Sequence, residues 1–334
     1  MEMSRRKRIG VLVGGESPER EISLASGEAV LSSLRDRGWE AVQIFVDRDL
    51  DMVLRQERVD VAFIALAGRA GDGAVQGLCE TLGIPYTGSS LSATALAADK
   101  LKSKEVLRLH NLPTPAYYRH TRGMGGAVDQ HHGFGFPCVV KPRAGSSGIG
   151  VAVARDGADL EAAVEVALRL DDDVLIERHV TGCEVQVVIL DGQVLGVAEL
   201  VPEGGMLDYA TRFTPGRTQV IVPPRLGHER LRGVVTQALR AHHLFGCEGV
   251  TRVDMVVSDR DNESILELDT LPDLAPGSLV SKLAHAANLD YTDLVERVLD
   301  GARLHLKRRM RERREMALPF ATEERRTSSD AERH

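Results

Sequence analysis

The chain has 334 residues, of which 43% are hydrophobic and 27% charged, the balance of a globular protein with room for two or three domains. Its formal charge of -7 excludes a bulk positive field for phosphate backbones and argues against nucleic acid as the main partner. Cys79, Cys138, Cys183 and Cys247 are too scattered for a CxxC zinc pair or a disulfide frame, and no apolar run is long enough to span a bilayer, so a cytoplasmic protein with buried thiols is expected.

The opening "MEMSRRKRIGVLVGG" ends its apolar run at Gly14-Gly15, which predicts a first strand rather than a signal peptide. A helix follows in "EREISLASGEAVLSSLRDRG", then strands in "EAVQIFVD" and "VDVAFIAL". The glycine-rich "AGRAGDGAVQG" precedes a helix running to Leu82. Near-continuous apolar strands alternating with helices predict a parallel α/β domain over residues 1–98.

The pattern changes at Asp99. "DKLKSKEVLRLHNLPTPAYY" predicts a helix stopped by Asn111 and Pro113. In "FPCVVKPRAGSSGIGVAVA" two strands flank a Gly–Ser turn, "DLEAAVEVALRL" is an amphipathic helix, and "DVLIERHV" is a strand. These make a central unit, residues 99–185. A third unit, residues 186–305, holds the Asp-Gly hairpin "CEVQVVILDGQVLGVAEL", the helix "ERLRGVVTQALRAHHL", the strand pair "GVTRVDMVVSD" and "ESILELDT", and the helix "YTDLVERVLDGA". Residues 306–334 form a mixed-charge tail, expected to be partly disordered.

Several short motifs could carry chemistry. Lys141 before "AGSSG" places Ser146, Ser147 and glycine N–H groups where one anion could be cradled, although a Gly–Ser hairpin is usually only a hairpin. Asp254 lies on one strand of a pair, with Glu267 and Asp269 two apart on the next. Three carboxylates so placed suit Mg²⁺, and the neighbouring Arg252 suits a phosphoryl group in transfer. The plainer alternative is three acids on a solvated sheet face, but each is flanked by apolar residues. Glu177 and Glu184 could bind ribose hydroxyls or merely mark where strands emerge. His131-His132 and His242-His243 read as structural, and "GVLVGGESPE" lacks the GxGxxG of a nicotinamide enzyme.

The order of these motifs is more specific than any one of them. "GGESPEREISLASG", "GIPYTGSS", "ADKLKSK", "VVKP" with "GSSG", "DDDVLIE", "TRVDM" and "LELDTLP" follow one another over about residues 8 to 300. In this they resemble the ATP-grasp fold and, within it, the D-alanine–D-alanine ligase family. The resemblance implies an N-terminal parallel-sheet domain followed by a two-part ATP-grasp fold, α+β in character, with ATP between the parts. It implies ATP and two Mg²⁺ ions, with Mn²⁺ a conceivable substitute, D-alanine as substrate, no membrane partner, and a homodimer as is common in the family. By motif, Lys100, Lys141, Ser147 and Arg212 would meet ATP phosphates, and Glu177 and Glu184 the adenosine. Asp254, Glu267 and Asp269 would hold the metal ions. Glu19 would take the first D-alanine's ammonium, with Ser146 and Arg252 catalytic beside it, and Ser278 and Leu279 would grip the second D-alanine.

The chain also departs from the family pattern. Ala67 stands where a histidine is usual, in a loop one residue short. The mobile-loop motif ends Arg212-Phe213 instead of Lys-Tyr, Asp269 replaces an asparagine, and Asp273 replaces a glycine. Phenylalanine at the place of Phe213 occurs in family members that take D-lactate. The alternatives are therefore a ligase with D-lactate or another D-amino acid as acceptor, and a degenerate paralogue that binds nucleotide but does little chemistry.

Overall fold

The computed structural model describes residues 6–306 except 17, 69–71, 132, 146, 206, 208, 215, 259 and 261. The charged tail and Ser146, both singled out above, fall outside these residues.

The N-terminal strands are β1 (Arg8–Gly14), β2 (Glu40–Val46) and β3 (Val61–Ile64), parallel in the order β2-β1-β3. Around them run α1 (Arg20–Asp36), α2 (Leu50–Gln56), α3 (Ala74–Leu82) and α4 (Leu91–Ala98). The predicted parallel sheet is present. The short α2 had no sequence signal, since seven residues hold too few turns for a helical period to stand out. Gly27 lets α1 lie flat on β1, for a Cβ there would sit 2.0 Å from Val13 Cγ1.

Asp99 caps α5 (Lys100–Leu109) by accepting from the Leu101 and Lys102 N–H groups. The helix ends at Asn111, whose φ of 55° is left-handed. Beyond it Tyr117 opens a strand, β4 (Tyr117–Thr121). With β5 (Cys138–Pro142), β6 (Ala152–Ala154) and β7 (Asp173–Arg178) it forms an antiparallel sheet in the order β4-β7-β5-β6. One helix, α6 (Gly157–Ala167), covers it and closes a separate small core of Val140, Leu160, Val164 and Ile176.

A second antiparallel sheet contains β8 (Gly182–Leu190), β9 (Gln193–Pro202), β10 (Thr218–Ile221), β11 (Val250–Ser258) and β12 (Glu263–Asp269), in the order β10-β9-β8-β11-β12. Asp191-Gly192, with φ of 52° and 76°, makes the expected two-residue hairpin between β8 and β9. Helices α7 (Tyr209–Phe213), α8 (His228–Phe245), α9 (Leu279–Ala286) and α10 (Tyr291–Asp300) complete this region.

Alternation along β8 divides its two faces. Val185, Val187 and Ile189 join the core under α8, and Leu107 and Leu112 around the end of α5 are buried there too. So α5, grouped by sequence with the central unit, packs with the five-stranded sheet. On the other face Val188 and Leu190 join Val11, Leu34 and Phe63 of the N-terminal domain in one core. Polar ties reinforce that contact: Trp39 Nε1 donates to Glu296 at 2.8 Å, and Ser89 Oγ to Glu248 O at 3.0 Å. Among the described residues no helix is long and apolar enough to cross a membrane.

Candidate active site

Between the four-stranded and five-stranded sheets lies a cleft with an apolar slot, from Val139, Ile149, Val180, Met255 and Leu266, and a charged end. The charged end follows from register. On the cleft face of the larger sheet, Gln186 of β8 stands opposite Asp254 of β11, with Glu184 two residues along β8 and Arg252 two residues along β11 on the same face. On β12, Glu267 is paired with Asp254 and Asp269 with Arg252. The ladder skips Leu266, and this bulge resets the alternation so that Ile265 faces the core while Glu267 faces the cleft.

The acids are matched by cations. Arg252 Nε lies 2.6 Å from Asp254 Oδ1, Nη2 lies 3.1 Å from Asp254 Oδ2, and Nη1 lies 3.2 Å from Asp269 Oδ2. Arg212 Nη2 and Gln186 Nε2 also donate to Asp254 Oδ2, at 3.2 and 2.9 Å. Burial pushes Asp254 above the usual carboxylate range, with Glu267 adding repulsion and Arg252 and Arg212 only partly offsetting it. Burial also works to raise Glu267, but Lys100, Arg212, Lys141 and Arg252 outweigh it and hold the acid well below its ordinary value. Burial would lower the Arg252 guanidinium, yet Asp254, Asp269 and Glu267 carry it above its normal range. Glu184 is raised, first by burial and then by Asp254.

Among the described residues, no group of three or more His, Cys, Asp or Glu side chains is drawn together as a ready metal cluster. The three predicted metal acids share one face, but guanidinium groups occupy the space between them. As a donor set they still fit a hard cation, since all are carboxylates and Mg²⁺ takes oxygen ligands.

The lysines define the other wall. Lys100 Nζ donates to Gly145 O and stands 4.0 Å from Glu267 Oε2. Lys141 Nζ donates to Glu177 Oε2 at 3.0 Å. Burial would lower Lys141, but Glu177 and Glu267 reverse that and raise it. Lys104, which the sequence reading did not single out, lies 3.1 Å from the other oxygen of Glu177. Glu177 is therefore clasped between two ammonium groups and is 1% exposed, while it still forms part of the cleft lining. The signal available beforehand was the four-residue spacing of Lys100 and Lys104, which puts both on one helix face.

A second cavity adjoins the charged end. Ile22, Ala67, Ser147, Arg252, Asp269 and Pro272 line it, with Ser278 and Leu279 at the head of α9. Glu19, 3% exposed, heads α1 against Gly68, where a Cβ would fall 2.3 Å from Glu19 Oε2. The left-handed Gly68, with φ of 63°, thus makes room for the acid. Ser278 Oγ caps α9 by accepting from the Ser281 N–H at 3.3 Å. Asp273 also lines this cavity, but its carboxylate is tied away from the charged end: Oδ1 accepts from Ser26 Oγ at 2.6 Å and from the Ala275 N–H at 2.8 Å. The Phe213 side chain lies outside what the structure describes.

Comparison with known proteins agrees with this geometry. The family described as D-ala D-ala ligase C-terminus matches residues 114–300. A D-alanine--D-alanine ligase of Geobacter sulfurreducens is 45% identical over 303 residues, covering 90% of this chain and 95% of that protein. One from Anaeromyxobacter dehalogenans is 44% identical over 300 residues, covering 89% of this chain and 97% of that protein. The chain belongs to the D-alanine–D-alanine ligase family. In three dimensions this family member superposes on the crystal structure of the D-alanine--D-alanine ligase from Bacillus anthracis with a TM-score of 0.80 and 32% identity, covering 92% of this chain and 99% of that one. The same enzyme complexed with ATP gives a TM-score of 0.78 at 30% identity over the same shares. The expected ATP-grasp architecture, a parallel-sheet domain followed by two antiparallel parts, is thereby borne out.

Proposed function

We propose that this protein joins two D-alanine molecules at the expense of ATP, as a cytoplasmic step in building peptidoglycan precursors. The observation that carries the reading is the convergence of Lys100, Lys141 and Arg212 on one cleft between two antiparallel sheets, with Arg252 at its border with the second cavity, 3.9 Å from Glu267 Oε1. Four cations around a narrow cleft are what a triphosphate and a phosphoryl group in transfer require.

In this reading the adenine takes the apolar slot and Glu184 meets the ribose. Lys100, Lys141, Arg212 and Ser147 hold the phosphates, with Ser146 assigned from sequence alone. A carboxylate oxygen of the first D-alanine attacks the γ-phosphorus, the bond to ADP breaks, and a D-alanyl phosphate forms. The amine of the second D-alanine attacks the acyl carbon, the C–O bond to phosphate breaks, and phosphate leaves with the electron pair while the amine's proton goes to solvent. Glu19 holds the first substrate's ammonium. Arg252 stabilises the phosphoryl group and then the tetrahedral oxyanion. The Leu279 backbone N–H faces the second substrate's carboxylate beside Ser278, whose own N–H donates to Ala275 O and whose hydroxyl is engaged as a cap. Mg²⁺, or Mn²⁺ in its place, supplies charge neutralisation for the phosphates, and Asp254, Glu267 and Asp269 are the side chains that would hold two such ions. A homodimer, common among relatives by resemblance, completes the reading and can be checked by sedimentation.

Phe213 supports one second reading, in which the acceptor is D-lactate and the product an ester. The test is phosphate release from ATP with Mg²⁺ and D-alanine alone, then with D-lactate added, with product masses read in parallel. Dipeptide from D-alanine alone supports the first reading. Phosphate release that needs D-lactate overturns it in favour of the second.

A further inference from the structure

Lys104 lies one helical turn beyond Lys100 on the same face of α5, but its situation is different. It is 1% exposed and is not part of the cleft lining, so no substrate can touch it. Its ammonium is nonetheless fully engaged. Nζ donates to Thr114 Oγ1 at 2.7 Å, lies 3.1 Å from Glu177 Oε1, and stands over the Tyr117 ring at 5.8 Å from its centroid. Thr114 in turn donates to Ile265 O at 2.8 Å, two residues before Glu267 on β12.

Two consequences follow from this arrangement. The first is electrostatic. Glu177 carries one negative charge between two ammonium groups, so the cluster keeps a net positive charge, and of the two lysines it is Lys141 that lines the cleft, beside Glu177 itself. Without Lys104, Glu177 and Lys141 would form a closed neutral pair, and the cleft would lose one positive unit where phosphates are to bind. The second is mechanical. Lys104 belongs to a helix packed with the five-stranded sheet, whereas Glu177 and Lys141 belong to the four-stranded sheet. The Lys104–Glu177 pair therefore bridges the two walls at the base of the cleft.

We propose that Lys104 is a positioning residue for ATP: by holding one oxygen of Glu177 and anchoring through Thr114 to β12, it leaves the Lys141 ammonium available to phosphate and sets the spacing of the two sheets. This rests on the assignment of Lys141 as a phosphate contact.

The test compares Lys104→Met, the double variant Lys104→Met/Glu177→Gln, and Thr114→Val with the unaltered chain. Calorimetric titration with ATP and Mg²⁺ in the absence of D-alanine reads binding alone, and steady-state kinetics read KM for each substrate separately. Lys104→Met is expected to weaken ATP binding about tenfold or more, the effect of one buried charge, while KM for D-alanine stays within about twofold. The double variant should recover most of the ATP affinity, because no carboxylate remains to capture Lys141. A merely structural role would instead lower thermal stability and disturb both substrates alike. Should Lys104→Met fail to fold, Thr114→Val decides, with an expected rise of about threefold in ATP dissociation constant and none in KM for D-alanine. Unchanged ATP affinity in the folded variant, equal damage to both substrates, or a double variant no better than the single one overturns the proposal. Failure of the unaltered chain to bind ATP would overturn the functional reading itself, and this inference with it.

Discussion

Replacing Ser26 by alanine should unlatch Asp273, the residue that departs most from the family pattern. Ser26 is 4% exposed, donates to Asp273 Oδ1 at 2.6 Å, and accepts from the Leu274 N–H at 3.3 Å. Losing a hydrogen bond to a charged acceptor removes about 1.5–3 kcal/mol, and the long Leu274 contact adds little. Asp273 keeps the Ala275 N–H, so a loss of about 2 kcal/mol is expected, or roughly 3 °C in Tm for a chain of this size. The kinetic effect should be larger. A freed carboxylate in the substrate-side cavity, at about 8 Å from a phosphate oxygen and an effective dielectric constant of about 20, costs about 2 kcal/mol, a factor of about 30 in kcat/KM. Thermal melts and the phosphate-release assay read the two effects separately. Ser26→Ala/Asp273→Gly should regain activity, since no charge remains to swing inward, without regaining the lost stability. A Ser26→Ala variant with unaltered melting and turnover, or a double variant as slow as the single one, would refute the reasoning.

Three further outcomes are expected. Gly249→Ala should destabilise by about 2–4 kcal/mol, because its φ of 65° is left-handed and a Cβ would lie 3.0 Å from Gly88 Cα; denaturant melts within about 0.5 kcal/mol of the parent would contradict the close approach of the two domains. Burial drives Lys104 down to about 8, with Glu177 and Glu267 working against the drop and Lys141 adding to it. As pH rises through about 8 the free enzyme should lose that charge, and kcat/KM for ATP should fall as it does in Lys104→Met; Lys104→Arg, which keeps its charge, should lack this limb. Phe213→Tyr should raise the ratio of dipeptide to ester when D-alanine and D-lactate compete, and an unmoved product ratio would remove Phe213 as the acceptor-setting residue.

Much of this site was legible in the sequence because it depends on strand alternation and order. The shared face of Glu267 and Asp269, on a strand paired with that of Asp254, follows from two apolar runs interrupted by acids, whereas the register that sets Arg252 opposite Asp269 turns on the bulge at Leu266. The Asp191-Gly192 hairpin and the stop of α5 at Asn111 follow from residues that tolerate left-handed backbone. What escaped depends on partners distant in the chain. Nothing local says that Leu107 and Leu112 pack under the five-stranded sheet, or that Glu177 faces a lysine from α5 as well as Lys141. The direction of Asp273 was also hidden, because its partner Ser26 lies 247 residues away.

The central claim is that ATP activates a D-alanine carboxylate by phosphorylation where the cleft of Lys100, Lys141 and Arg212 meets the cavity of Arg252. The most direct measurement is the fate of ¹⁸O supplied in the carboxylate of D-alanine, with the released phosphate and the dipeptide both examined by mass spectrometry. An acyl phosphate route predicts one ¹⁸O in the phosphate for each dipeptide formed. Dipeptide made with unlabelled phosphate, or ATP bound but never cleaved in the presence of D-alanine, would contradict the account.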